Sequence, residues 1–173
     1  VRFEGRIHEQ VLGPIRRLDG KIECTDIHVV HSGSEHTPDA RRRKQERDLR
    51  LIRMELEVEP DNTFHLFNLG MTLADMEKHE PAVDALRRSL AAAEPHESHV
   101  RKIYALLAGS LTRLERYDEA KSTCEAGLAI YPADAELHFR RGIVLQQLKQ
   151  LEQAVLEYRA ALLRCRCPIP HGP

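Results

Sequence analysis

"YALLAGSLTRLERYDEAKSTCEAGLAIYP", Tyr104 to Pro132, settles the architecture of this chain. Apolar residues of helical period lie on both sides of "LERYDEA", and the second run stops at Tyr131-Pro132, where a proline ends a helix. The stretch therefore reads as two helices joined by a tight turn. Each helix carries a small residue, Ala108 in the first and Ala120 in the second. Helix backbones approach closely only where the side chains between them are short.

The same small residues recur on either side of this hairpin. Gly70, Ala108 and Gly142 are separated by 38 and 34 residues, and the same two offsets relate Ala82, Ala120 and Ala154. They also relate Leu73, Leu111 and Leu145, then Leu86, Cys124 and Tyr158, then Ser89, Gly127 and Ala161. Five columns in one register define three copies of a helical hairpin, at about 63–96, 101–134 and 135–168. The copies predict helices near 62–76, 79–93, 97–113, 117–130, 134–147 and 151–164. Four extra residues between the first two copies lengthen the connection "AAAEPHESH", Ala91 to His99. In the turns, Asp118 reads as an N-cap with Tyr117 packed back as a staple, Pro132 and Asp134 separate two helices, and Pro60 with Asp61 or Asn62 does the same upstream.

Before the repeats, "TPDARRRKQERDLRLIRMELEVEP", Thr37 to Pro60, forms another helix, capped by Thr37 or Asp39. Leu49, Ile52 and Leu56 give it one apolar stripe, enough to cover the first repeat. Residues Arg41 to Arg50 hold six basic and two acidic side chains, but no aromatic is interleaved and Glu55, Glu57 and Glu59 follow at once. A solvated, salt-bridge-laced capping helix accounts for this better than a nucleic-acid surface. Residues 1–36 differ again. "KIECTDIHVVH" reads as a strand, "VRF" as a second, and "IHEQVLGPIRRL" between them as a turn of helix broken at Gly13-Pro14. Two short strands are not stable alone, so this segment reads as the edge of a larger α/β domain. The expected fold is mainly α: a solenoid of three helix-turn-helix repeats plus a basic helix, after a short two-stranded α/β remnant. The divisions are 1–36, 37–60, 61–167 and a tail, 168–173.

Bulk properties exclude several classes. With 26 basic and 27 acidic residues in 173, the chain is near neutral, which gives no reason to expect nucleic-acid or membrane-surface binding. Its longest apolar runs, such as "IYALLAG" from Ile103, fall well short of the ~20 residues of a bilayer span. The four cysteines, Cys24, Cys124, Cys165 and Cys167, lack a framework spacing and read as reduced thiols of a soluble cytoplasmic protein. Cys165 and Cys167 form a lone C-x-C, and zinc would need two more ligands nearby. His28 and His31, three apart on a strand, point to opposite faces. No metal site is assigned.

Two resemblances emerge from these residues. The spacing of the small columns, the Ala-x-x-x-aromatic phrase and Pro132 resemble the tetratricopeptide repeat; Pro95 falls one place late, and the third copy has Arg166 instead of proline. Further upstream, Ile7-His8-Glu9-Gln10, His31-Ser32-Gly33-Ser34, Lys44 to Leu51 and Pro60 to Gly70 resemble the C-terminal end of the catalytic domain in bacterial family 2 glycosyltransferases that carry such repeats. Ser34 departs from that pattern, which has Tyr. The acidic D-x-D motif of the donor site has no counterpart in these residues.

The glycosyltransferase resemblance implies that 1–36 closes a GT-A-like domain and that the chain is a fragment, not catalytic by itself. A divalent metal and a nucleotide-sugar belong to the full-length enzyme and no cofactor to this chain. It places His8 near the metal-bound diphosphate and Glu9 near the acceptor hydroxyl. Equally, His8 serves as a hydrogen-bonded structural residue and Glu9 as a carboxylate favoured by a helix start. The repeat resemblance implies a concave groove for a protein or peptide partner, lined by Phe64, Phe67, Asn68, Met71, Lys102, Phe139, Arg140 and Ile143. Asn68 and Arg140 match polar residues with which some members hold a peptide carboxylate, although Leu106 replaces one in the middle copy. The alternative function is a free-standing repeat scaffold.

Overall fold

The computed structural model describes residues 37–165, with Ile15, Arg17 and Leu18. The two expected strands, His8, Glu9 and the tail lie outside the described residues. Among the described residues there are seven helices and no strand: α1 (Pro38–Val58), α2 (Thr63–Asp75), α3 (His79–Ala92), α4 (Val100–Arg113), α5 (Tyr117–Ile130), α6 (Ala135–Gln147) and α7 (Leu151–Cys165). The chain divides into two compact units, Val1–Pro60 and Asp61–Pro173.

In the first unit, the Thr37 hydroxyl accepts a hydrogen bond from the Ala40 N–H and Pro38 occupies the first turn of α1. Both choices suit a helix start, where N–H groups lack partners and proline has none to lose. Leu49 and Ile52 are buried and Leu56 is half-buried. Arg42 pairs with Glu46 at 3.0 Å and Arg47 with Asp48 at 2.7 Å. Arg42, Glu46 and Arg47 are mostly exposed, so these pairs contribute little to stability.

The second unit is a row of three hairpins, α2–α3, α4–α5 and α6–α7. The second helix of each hairpin packs on the first helix of the next, and the first helices also touch in series, α2 with α4 and α4 with α6. Ala82, Ala120 and Ala154 are buried at the hairpin seams. Bulk in the paired columns is matched. A Cβ built on Gly70 would stand 2.5 Å from Leu86 Cγ, and one on Gly142 would stand 2.5 Å from Tyr158 Cε1. The middle repeat has Ala108 and Cys124 in the same two columns, more bulk on one side and less on the other. The core itself joins repeats: Phe67, Val83, Leu86, Ile103, Leu107, Leu111 and Val144 belong to one buried cluster.

Helix ends explain the boundaries. Asn62 accepts from the His65 N–H at 3.0 Å and Asp134 from the Leu137 N–H at 2.8 Å, each capping a helix. Asp134 also receives the Arg101 guanidinium, joining the second and third repeats. Asp118 is not the cap of α5; it lies inside the first turn, after Arg116, where its carboxylate favours the positive helix end. The expected helix near 97–113 starts later, at Val100, because the connection over 93–99 makes its own turn, with Glu97 Oε1 accepting from the Glu94 N–H. The turn inside every hairpin is the same. Glu77, Glu115 and Lys149 have φ of 59°, 60° and 62°, and each following N–H reaches back five residues, Lys78 to Leu73, Arg116 to Leu111 and Gln150 to Leu145. These are Schellman closures.

Ion pairs stitch the last helices. Arg141 of α6 donates to Glu125 of α5 and to Glu157 of α7, at 3.2 and 3.3 Å. His138 Nδ1 lies 2.7 Å from the other Glu157 oxygen and its Nε2 lies 3.0 Å from the Pro132 carbonyl.

Candidate functional site

A cavity of about 610 Å³ opens between α4 and α6. Residues three and four apart share a helix side, so Gly109, Thr112 and Arg113 of α4 face Arg140, Ile143 and Gln147 of α6 across it. The hairpin turns close one end with Glu77, His79, Glu115 and Tyr117. Gly109 leaves room for the Arg140 guanidinium: a Cβ there would stand 3.2 Å from Nη1. Arg140 is held on one side by Glu136, 3.3 Å from Nη2. Its Nε is buried without a hydrogen-bond partner. A half-buried guanidinium with an unused N–H favours a carbonyl or carboxylate acceptor. Arg113 adds an exposed cation near Glu77, and Ile143 supplies apolar surface.

The residues expected to line one groove divide among four places. Arg140 and Ile143 share the cavity. Phe67 and Asn68 are 5 and 1 % exposed and belong to the interior, with Phe64 and Met71 half-buried against the same core. The Asn68 Nδ2 has no hydrogen-bond partner there. Lys102 is exposed. Phe139 is half exposed and leans on Tyr158, ring centres 5.8 Å apart, over a second hollow. Sequence reading passed over Gly109, Thr112, Arg113 and Gln147. Their signal was the 3–4 spacing along the side of each first helix that the core columns leave unused.

An aromatic corner brings α2 and α4 together. The His99 ring is buried between Phe64 and Phe67, at centroid distances of 5.6 and 5.4 Å. Burial holds His99 below its ordinary pKa, and Glu97, 3.6 Å away, pulls the other way. Glu97 itself is held low by the Glu94 N–H and then by the Thr63 hydroxyl. Burial pushes the Cys124 thiol up to about 12, which leaves it an inert packing group. Among the described residues no group of three His, Cys, Asp or Glu could hold a metal ion, and no helix is long and apolar enough to cross a membrane.

Comparison with known proteins agrees with this geometry. The glycosyltransferase SunS, prophage-derived in Bacillus subtilis (strain 168), is 29 % identical over 90 residues, which is 52 % of this chain and 21 % of that protein. The glycosyltransferase SunS of Bacillus phage SPbeta matches equally. The chain thus spans about a fifth of these relatives. Among solved structures, MamA MSR-1 superposes with a TM-score of 0.62 at 22 % identity, covering 73 % of this chain and 71 % of that one. MamA from Desulfovibrio magneticus RS-1 gives 0.62 at 23 %, covering 72 and 68 %. These likenesses concern the fold. The tetratricopeptide repeat profile matches residues 66–96, 102–134 and 135–166, so it runs through all three hairpins and more than half of the sequence. With its seams of small residues and its recurring turn, this chain belongs to the tetratricopeptide repeat family.

Proposed function

We propose that the repeats are the partner-binding module of a glycosyltransferase and that a protein segment binds in the cavity between α4 and α6. The observation that carries the binding site is Arg140, half-buried in the cavity wall with its Nη2 held by Glu136 and its Nη1 beside Gly109. An acidic side chain or backbone carbonyl of the partner would accept from the Arg140 Nη1 N–H, while Ile143 takes an apolar neighbour. Titration of the 1–173 chain with peptides ending in acidic residues, followed by amide NMR, tests it. Shifts are expected at Gly109 and Ile143 and should disappear with Arg140→Ala. Titration without shifts at the cavity removes the proposal.

The enzymatic context is supported by the partial match to glycosyltransferases and by Ile7-His8-Glu9-Gln10 and its companion phrases. In this reading nucleotide-sugar and divalent metal are held elsewhere in the full enzyme, His8 contacts the diphosphate and Glu9 orients the acceptor. Deleting the repeats from that enzyme should lower transfer to a protein acceptor and spare hydrolysis of the donor. Equal loss of both counts against a recruiting role, and wild-type transfer by a folded His8→Ala, Glu9→Ala variant removes the assigned roles. The second reading, a free-standing scaffold, is favoured by the cavity being complete within residues 77–147.

A further inference from the structure

The cavity that holds Arg140 carries opposite charge at its two ends. Midway along α4 and α6 the charged group is the guanidinium, with Nη1 beside Gly109 and Nη2 held by Glu136. The other end is where the first helices finish: Glu77 follows α2, Glu115 follows α4, and Gln147 is the last residue of α6. Both glutamates line the cavity there. Arg113 stands 3.9 Å from Glu77 and offsets it. Glu115 is exposed and enters no ion pair among the described residues, so one carboxylate is in surplus at this end. Its backbone is fixed, at φ 60° with the next N–H, that of Arg116, bonded back to Leu111 at 2.9 Å. Six residues separate Gly109 from Glu115, a span of about 9 Å along a helix.

We infer that the cavity selects a partner segment of mixed charge, with an acidic side chain for Arg140 and, toward the hairpin turns, a lysine or arginine for Glu115. This rests on the cavity being the binding site and adds the order of charges along it. An extended chain advances about 3.3 Å per residue, so the two charges fall two or three residues apart in the partner. A uniformly acidic segment sets a second carboxylate against Glu115, and like charges brought together select against it. The fold does not demand an acid at this turn. Lys149 occupies the equivalent position of the third hairpin at φ 62° and lies away from the cavity. A side chain of either sign suits the turn, so the Glu115 carboxylate acts on what the cavity accepts.

The probes are short labelled peptides that hold one glutamate and, three residues before or after it, either a lysine or a second glutamate. His79 and Tyr117 are the other titratable side chains at the turn end, so binding is measured by fluorescence anisotropy at about pH 8, between the ordinary histidine and tyrosine ranges. At low salt, the lysine peptide of one order should bind the 1–173 chain about fivefold tighter than its all-glutamate twin, because an exposed pair contributes up to about that much. The difference should vanish in about 0.5 M salt. Glu115→Gln should level the two peptides and Glu115→Lys should invert their order, with melting curves matched to the parent as the Lys149 turn leads one to expect. Binding that is lost with Arg140→Ala but keeps the same preference in both Glu115 variants overturns the charge order and leaves the cavity as the binding site, as does equal binding of the twins to the parent. Absence of binding, or binding indifferent to Arg140→Ala, removes the cavity as the site and the charge order with it.

Discussion

Replacing Glu115 by glycine should make the protein more stable, although it deletes a side chain and loosens the unfolded chain. At φ 60° the Glu115 Cβ crowds its own backbone. A side-chain-bearing residue in this left-handed conformation is disfavoured by about 1–2 kcal/mol, and glycine avoids that while losing about 0.5–1 kcal/mol of chain entropy on folding. The difference is a gain of roughly 0.5–1 kcal/mol. Little opposes it, because the Glu115 side chain is exposed and the bonds that make the turn, from the Glu115 N–H to Thr112 and from the Arg116 N–H to Leu111, are backbone bonds that glycine keeps. Glu115→Ala is the control: alanine removes the same carboxylate but retains the Cβ. Urea unfolding followed by circular dichroism at constant slope should rank glycine above both alanine and glutamate. If Glu115→Gly unfolds at or below the midpoint of Glu115→Ala, left-handed strain at this turn is not what limits it, and the same reasoning fails for Glu77 and Lys149.

Gly142→Ala should cost about 1–3 kcal/mol by driving a methyl into the Tyr158 ring, and adding Tyr158→Cys, which copies the Ala108 and Cys124 columns, should recover part of it in the same unfolding assay. Asp134→Ala should cost about 1–2 kcal/mol through loss of the α6 cap alone, and Asp134→Asn should recover the cap but not the Arg101 contact, because its amide NH2 would face the guanidinium. Because burial depresses the His99 pKa, protonation favours the unfolded chain; that stability is complete above about pH 6.5 and is lost as pH falls below it. His99→Leu should therefore flatten the dependence of the melting temperature on pH just below about pH 6.5. It should leave the steeper loss below about pH 4.5, to which the depressed Glu97 contributes with the same sign.

The hairpins were legible because close packing leaves a strict trace: only small residues fit at Gly70, Ala82 and their equivalents, and they fall in register. Helix starts at Asn62 and Asp134 were legible for a similar reason, since a cap needs a side-chain acceptor. The turns were harder. Their left-handed residues are Glu77, Glu115 and Lys149, not the glycine that usually marks such a helix end, so α5 was assigned a cap at Asp118 when the closure lies at Glu115 and Arg116. The cavity was half legible. Arg140 and Ile143 stand where the repeat pattern places groove residues, but Phe67 and Asn68 do so too and are buried. Which face of a helix remains open depends on its neighbours. In the first repeat His99 stacks on Phe64 and Phe67 from the longer 93–99 connection, a contact that periodicity does not encode.

The guanidinium of Arg141, gripped from either side by Glu125 and Glu157, gives this end of the array an unequal response to damage. Loss of one glutamate leaves the arginine with the other, so the remaining helix pair keeps its tie and the defect stays local. Loss of the arginine releases both acids at once, and Glu157 keeps only its contact with the His138 ring. Variation should therefore be tolerated at the two carboxylates separately and punished at the cation they share.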